Sequence, residues 1–240
     1  MSAPLDIHAV VPTFNERENI AALVEAAFSM VPGLRILVVD DNSPDGTGDT
    51  VRALQRSFPA LDLLSRTNER GFGSAYLAGF RRILESSGTG AVLMMDADLS
   101  HDPAHVPALL EKLEVCDAVI GSRYAQGGAV SGWEMWRRIL SRGGNAYVRG
   151  ITGMPFHDCT SGFMLIRTGV LRGLDLKGVR SGGYAFLMEL KYRIWQSGAV
   201  IREVPIIFRN RDRGESKISG RIIREGFRAP WRVRFGRTAR

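Results

Sequence analysis

Ala91-Val92-Leu93-Met94-Met95-Asp96-Ala97-Asp98 is an unbroken apolar run that ends on two carboxylates. A strand with one wet face alternates apolar and polar residues, so a run without alternation suits a strand covered on both faces. The two acids then stand at the carboxyl end of a buried strand, where open α/β sheets take their ligands. The arrangement recurs upstream. Ile7 to Val11 runs into Pro12-Thr13-Phe14-Asn15-Glu16, and Ile36 to Val39 into Asp40-Asp41-Asn42-Ser43-Pro44-Asp45-Gly46. Leu61 to Ser65 and Ala118 to Ile120 read as further strands, the second followed by Gly121-Ser122-Arg123-Tyr124.

Helical segments separate these strands. One begins at Asn15, which with Glu18 has the form of a capping box, and runs to about Met30 before Pro32-Gly33 stops it. Others are expected over Thr47 to Phe58, from Gly71 to about Ser86, and over Pro103 to Leu113. Regular alternation of strand and helix predicts an α/β fold, a mostly parallel sheet with helices on both faces. Beyond Arg123 the pattern loosens. An arginine-rich helix is expected over Trp133 to Arg149, a strand within Asp158 to Arg167, a helix over Tyr184 to Trp195 and a strand over Val200 to Phe208. An amphipathic helix is expected from Ser216 onward. Residues 1–215 are therefore read as one domain and 216–240 as a basic tail.

The chain has 240 residues, 45% hydrophobic and 24% charged. That is ordinary for a soluble domain able to bury a core without staples. Its two cysteines, Cys116 and Cys159, lack metal-ligand spacing, and a reducing compartment fits. The start has no signal-like pattern, and no uncharged apolar run approaches the ~20 residues a membrane helix needs. Membrane contact is therefore expected to be peripheral, at a cytoplasmic face, or through a separate anchoring protein. The net charge of +7 sits at the end: Arg202 to Arg240 holds twelve Lys/Arg against four Asp/Glu. A basic end calls for an anionic partner such as phosphate, nucleic acid or acidic lipid.

Asp96 and Asp98 have the chemistry for a hard divalent cation, which takes one or two carboxylates and completes its shell with phosphate oxygens. Standing alone, Asp-x-Asp is also a common solvated turn. Asp41 can accept hydrogen bonds from a ribose or a base edge, while its neighbours shape a turn. Glu16 and the Pro12 carbonyl can meet a nucleobase. Arg70-Gly71-Phe72-Gly73-Ser74-Ala75 lacks the full phosphate-loop fingerprint, so its glycines are expected to serve close packing. Arg123, Arg137, Arg211 and Lys217 form a cationic set, with Ser141 one helical turn from Arg137 and followed by Arg142. His8, His101, His105 and His157 suggest no triad, and His101 reads as a loop residue without a role.

These stretches resemble, in order and spacing, the family 2 glycosyltransferases of the GT-A fold, and most nearly the dolichyl- or polyprenyl-phosphate mannose synthases. The stretches are Val11 to Ile20, Val38 to Thr47, Met95 to His101, Gly121 to Tyr124, Ser141 to Asn145, Thr160 to Phe163, Gly183 to Phe186 and Gly214 to Lys217. The resemblance implies a GDP-mannose donor, a polyprenyl phosphate acceptor, and Mg²⁺ or Mn²⁺. It puts Pro12, Phe14, Glu16 and Asp41 at the nucleoside, and Asp96, Ala97 and Asp98 at the donor diphosphate. Asp96 and Asp98 would hold the metal. Ser100 stands where some relatives carry a metal-binding Gln, which makes it a candidate third ligand. Arg123, Arg211 and Lys217 fall at the donor phosphates, and Arg137 and Ser141 at the acceptor phosphate. Asp98, Arg123, Arg137 and Ser141 are the expected catalytic set. Ala185 replaces a Lys found in some relatives. Family members often add carboxyl-terminal membrane helices, which this chain lacks.

The resemblance implies inverting attack by a phosphate that is already an anion and needs little help from a general base. Three alternatives stand beside it. One is glucose transfer from UDP-glucose. Another is a nucleic-acid-binding module, disfavoured because no binding motif accompanies the basic end. The third is a sugar-nucleotide binder without transfer. In the tail, Ile218, Ile222, Ile223, Phe227 and Trp231 alternate with Arg221, Arg224, Arg228 and Arg232. Such a helix either rests in an anionic membrane interface or packs on the domain.

Overall fold

A computed structural model describes residues 5–86, 88–179, 181–209 and 220–236, with backbone only at Tyr184 and residues 220–224. Arg211 and Lys217, with the stretch Gly214 to Lys217, lie outside the described residues. The strands are β1 (Ile7–Thr13), β2 (Leu34–Asp40), β3 (Leu61–Ser65), β4 (Ala91–Met94), β5 (Ala118–Ser122), β6 (Ala129–Ser131), β7 (Met164–Arg167), β8 (Ile201–Pro205) and β9 (Ile207–Arg209). The helices are α1 (Arg17–Met30), α2 (Thr47–Leu54), α3 (Phe72–Leu84), α4 (Val106–Leu113), α5 (Met135–Thr152), α6 (Thr168–Arg172), α7 (Gly183–Gln196) and α8 (Gly220–Phe235).

Seven strands form one sheet in the order β3-β2-β1-β4-β7-β5-β8. Successive residues of β1 and β2 serve opposite cores. Ala9, Val11, Ile36 and Val38 pack with Ile20, Leu23 and Val24 of α1 and Leu109 of α4. Val10, Leu37 and Val39 pack with Tyr76 and Phe80 of α3 and Phe186 of α7. Both faces are dry, which is why these strands show no alternation in sequence.

The sheet is mixed rather than wholly parallel. β7 lies between β4 and β5 and runs antiparallel to both. Its sequence is as apolar as its neighbours', since burial on both faces sets composition and says nothing of direction. The expected strand from Val200 to Phe208 breaks at Ile206, and its second half pairs with β6 in a separate two-stranded ribbon.

Asn15 does not cap α1. It takes a left-handed φ of 59°, and Glu16 occupies the cap position without a side-chain cap bond. The first amides are instead satisfied from the facing turn. Asn15 N–H donates to Ser43 Oγ (3.0 Å), Glu16 N–H to Thr47 Oγ1 (3.0 Å) and Arg17 N–H to Asp45 Oδ2 (3.0 Å). The two loops are thereby tied together at the carboxyl edge of the sheet. Burial works to raise the Asp45 carboxyl, but hydrogen bonds from Thr47 and Arg17 outweigh it and hold it below the usual range.

α7 carries a fully buried lysine. Lys191 Nζ donates to the Ser161 carbonyl (2.5 Å), and Ser161 Oγ donates to the Gly121 carbonyl (2.6 Å). The loop before β7 is thus pinned to both α7 and β5. α8 lies against α5 and α7. Its Ala229 is buried in the core, while Trp231 Nε1 donates to Tyr147 Oη (2.9 Å).

Two outcomes are expected. Gly79 of α3 faces β1, and a Cβ there would lie 2.5 Å from Val10 Cγ1. Gly79→Val should cost roughly 1–3 kcal/mol by overpacking, read as a lower denaturation midpoint. Burial lowers the Lys191 ammonium to about 8 from 10.5, with Asp158 opposing. Between those values the unfolded chain binds more protons than the folded one, so stability rises with pH across this window. Lys191→Met should flatten that rise in denaturant titrations from pH 8 to 10.5; an unchanged slope would assign it to another group.

Candidate active site

The carboxyl ends of β1, β2 and β4 surround a cavity of about 360 Å³, within the usual range for a small-molecule site. Pro12, Phe14 and Glu16 line it from the loop after β1, and Asp41 from the end of β2. Asp96, Ala97 and Asp98 line it from the turn after β4. Seven residues expected at the donor from sequence therefore share one cavity. Arg70, Gly71 and Phe72 at the start of α3 complete the wall, and sequence reasoning gave that stretch only a packing role. The packing role also holds. A Cβ on Gly73 would meet the Phe186 side chain at 2.9 Å, so this glycine allows α3 to approach α7.

Asp41 is buried and held by Arg66, a residue the sequence did not single out. Arg66 Nε donates to Asp41 Oδ1 (2.7 Å), and Gly71 N–H donates to Oδ2 (2.8 Å). Arg66 also reaches the Gly71 carbonyl and Ser74 Oγ. One carboxylate thereby joins the ends of β2 and β3 to the start of α3. Arg70 stacks over the Phe14 ring, 4.9 Å from its centroid, and closes the cavity rim. Glu16 Oε2 accepts from Asn19 Nδ2 (2.8 Å), which orients its carboxylate. Asp40, next to Asp41, instead holds the turn, accepting from Thr13 Oγ1 and from Ser43.

The Asp96-Ala97-Asp98 turn is braced from below. Leu99 takes a left-handed φ of 59°, uncommon for such a residue and a sign that its surroundings dictate the turn. Ser100 N–H and Oγ both donate to Asp98 Oδ1, at 3.1 and 2.6 Å. Ser100 is buried outside the cavity lining, so its hydroxyl orients Asp98 from beneath. His101 does have a role. It is buried, stacked on Phe163, and its Nδ1 accepts the Asp96 N–H (3.0 Å). Burial lowers it to about 4, which keeps the ring neutral and able to accept that bond. Tyr76 Oη approaches Asp96 Oδ1 (3.4 Å); burial, then the Asp96 charge, raises its phenol and keeps it protonated.

Among the described residues, no group of three His, Cys, Asp or Glu side chains could hold a metal ion. Asp96 and Asp98 offer two carboxylates to one cavity. That donor set fits a hard cation whose remaining positions are filled by phosphate and water oxygens, rather than a metal centre closed by protein.

Arg123, Arg137 and Ser141 do not line this cavity. Arg123 is buried against Asp158, to which Nε and an Nη donate, both at 2.7 Å, and it also donates to Thr160 Oγ1 (2.8 Å). Burial would raise the Asp158 carboxyl, yet the Arg123 guanidinium holds it below the usual range. The expectation of Arg123 as a donor-phosphate ligand meets a guanidinium already engaged in a bidentate pair. Arg137 stacks on Trp133 (4.4 Å to the centroid), and Tyr124 Oη donates to Ser141 Oγ (2.6 Å). The loop before β7 links the two regions. Thr160 touches Arg123 and Asn145, and a Cβ on Gly162 would lie 3.4 Å from Asp96 Oδ1. Asp158 could not be singled out from sequence, because its partner Arg123 is distant in the chain.

Comparison with known proteins follows the same lines. Residues 8–174 match the family described as glycosyl transferase family 2. The chain is 42% identical over 229 residues to polyprenol monophosphomannose synthase of Mycolicibacterium smegmatis, spanning 94% of this chain and 86% of that one. It is 41% identical over 216 residues to undecaprenyl-phosphate mannosyltransferase of Micrococcus luteus, spanning 90% and 88%. Glucosyl-3-phosphoglycerate synthase from Mycobacterium tuberculosis, crystallised with Mn²⁺, UDP and phosphoglyceric acid, shares the fold at 20% identity. Its TM-score is 0.70, over 97% of this chain and 79% of that one. A match that begins in β1 and runs past β7, through every strand end that builds the cavity, makes this chain a member of glycosyl transferase family 2.

Proposed function

We propose that the chain transfers a mannosyl group from GDP-mannose to a polyprenyl phosphate, with inversion at the anomeric carbon. The observation that carries this reading is the shared cavity, lined by the base-contacting candidates together with the carboxylates of Asp96 and Asp98. Identity above 40% to two polyprenyl-phosphate mannose-transferring relatives supports the acceptor and the sugar. Glu16 supports guanine over uracil. Guanine offers two adjacent N–H donors to a carboxylate, whereas uracil offers one.

In the reaction, an oxygen of the acceptor phosphate attacks the anomeric carbon as the bond to the GDP oxygen breaks. The acceptor is anionic near neutral pH, so no side chain needs to remove a proton. Asp96 and Asp98 would hold Mg²⁺ or Mn²⁺, which supplies charge neutralisation for the departing diphosphate. Arg211 and Lys217 are assigned to the same phosphates from the family resemblance alone. Ser141 accepts from Tyr124, which leaves its own hydrogen to donate to an acceptor phosphate. Arg137, held over the Trp133 ring, is the charged partner for that phosphate.

The acceptor lives in a membrane, and the molecule carries a surface suited to one. Among the described residues no helix is long and apolar enough to cross a bilayer. α5 exposes Trp136, Ile139 and Leu140, and the neighbouring α8 exposes Phe227, Trp231 and Phe235 between arginines. We assign this face to peripheral contact with an anionic membrane.

Asp98→Ala should lower transfer from GDP-mannose to polyprenyl phosphate by roughly 100-fold or more. Near-normal turnover with Mn²⁺ present would remove the metal assignment. A radiolabelled donor panel should show mannose transfer and little glucose transfer from UDP-glucose; the reverse preference would overturn the donor. Ser substitutions at Trp136, Ile139 and Trp231 should abolish flotation with anionic liposomes while sparing activity on a short, water-soluble acceptor. Undiminished flotation would rule this face out.

A further inference from the structure

A second cavity, of about 340 Å³, opens beside Tyr124 and shares no lining residue with the donor cavity. Arg123, Tyr124, Arg142, Asn145, Arg149 and His157 line it. No carboxylate side chain is among its lining residues.

The charges behind its wall cancel. Arg123 is paired with Asp158, and Lys191 is buried close to both. Glu203 accepts the His157 Nδ1 contact (2.8 Å) and the backbone N–H groups of His157 and Asp158. Two cations thus stand against two carboxylates. The polar groups of Asn145 are also committed. Its Nδ2 donates to the Ser141 carbonyl and to Thr160 Oγ1, and its Oδ1 accepts from Cys159 N–H.

Arg142 and Arg149 remain. Both are exposed, and among the described residues neither has a carboxylate within salt-bridge distance. Arg142 is steadied against Tyr124, 5.7 Å from the ring centroid. Two guanidinium groups on one concave wall, without acids, are a donor array matched to phosphate oxygens.

The helix that carries them extends the match. Met135, Ile139, Arg142, Ala146 and Arg149 follow at alternating four- and three-residue spacing, so they share one face of α5. The face is cationic at its carboxyl-terminal end. At the other end Met135 is 68% and Ile139 65% exposed. A ligand with an anionic head and an apolar tail would satisfy both ends.

We propose that this cavity is a phosphate-binding site, separate from the donor cavity. Its ligand is a phosphate ester, either the headgroup of an anionic phospholipid or a small soluble ester. Bound lipid would lie along α5 with its tail over Ile139 and Met135, which would orient the enzyme on the membrane. The proposal does not depend on the identity of the donor.

The full-length enzyme, Arg142→Gln/Arg149→Gln and a charge-matched control, Arg52→Gln/Arg82→Gln on α2 and α3, are compared in two arms. One arm titrates glycerol 3-phosphate by calorimetry. The other measures binding to phosphatidylcholine vesicles with and without phosphatidylglycerol. For a lipid headgroup, the cavity variant should lose about tenfold or more in affinity for phosphatidylglycerol vesicles, while the control matches the wild-type protein. For a soluble ester, the loss should appear with glycerol 3-phosphate and not with vesicles. The proposal is overturned if the cavity variant equals wild type in both arms, or if the control loses as much. Thermal melting of each variant checks that the fold is kept.

Discussion

Asp41 is a carboxylate buried at the end of a strand, and such a charge persists only when its partners are in place. Arg66 and the Gly71 amide supply them. Because the three groups come from the residue after β2, from the residue after β3 and from the start of α3, satisfying one charge sets the mutual position of three elements. The donor cavity is the space those elements leave. Removing Arg66 would therefore do more than delete a contact. It would leave a buried carboxylate short of its cation, to be relieved by protonation or by movement of the cavity wall.

The same device recurs where the sheet changes direction. β7 enters antiparallel between β4 and β5, and the loop that precedes it carries Asp158, Thr160, Ser161 and Gly162. Arg123 and Lys191, from β5's end and α7, hold that loop by charge and by hydrogen bond. Gly162 can then approach Asp96 closely, so the metal-binding turn and the Arg123 region share one support. Ser100 orients the Asp98 carboxylate, and His101 holds the turn through the Asp96 backbone N–H. The carboxylates of Asp98, Asp41 and Glu16 thus have partners fixing them before any ligand arrives, which is the geometry preorganised electrostatics require.

Arginines on this chain divide by burial. Arg66 and Arg123 are buried, each paired with a carboxylate. Arg70 lines the donor cavity over Phe14, Arg137 lies over the Trp133 ring, and Arg142 and Arg149 face the second cavity. Nothing in the residue type distinguishes these fates. A basic tail that reads as one amphipathic helix also divides, with Ala229 buried in the core and Trp231 53% exposed while bonded to Tyr147.

What the sequence determined by itself is local. Apolar runs burying both faces marked the central strands, and acidic or aromatic clusters after them marked the binding edge, because both signals lie within a few consecutive residues. Those signals point to Pro12, Glu16, Asp41, Asp96 and Asp98, the family resemblance adds Phe14 and Ala97, and the structure joins all seven in one cavity. Tertiary structure alone decided the rest. The capping of α1 by Ser43, Asp45 and Thr47 and the partners of Asp41 and Arg123 depend on residues about 25 to 35 positions apart, and strand direction at β7 on pairings farther apart still. The energy of a buried charge depends on which partner folds against it, and that partner carries no mark in the sequence beside it.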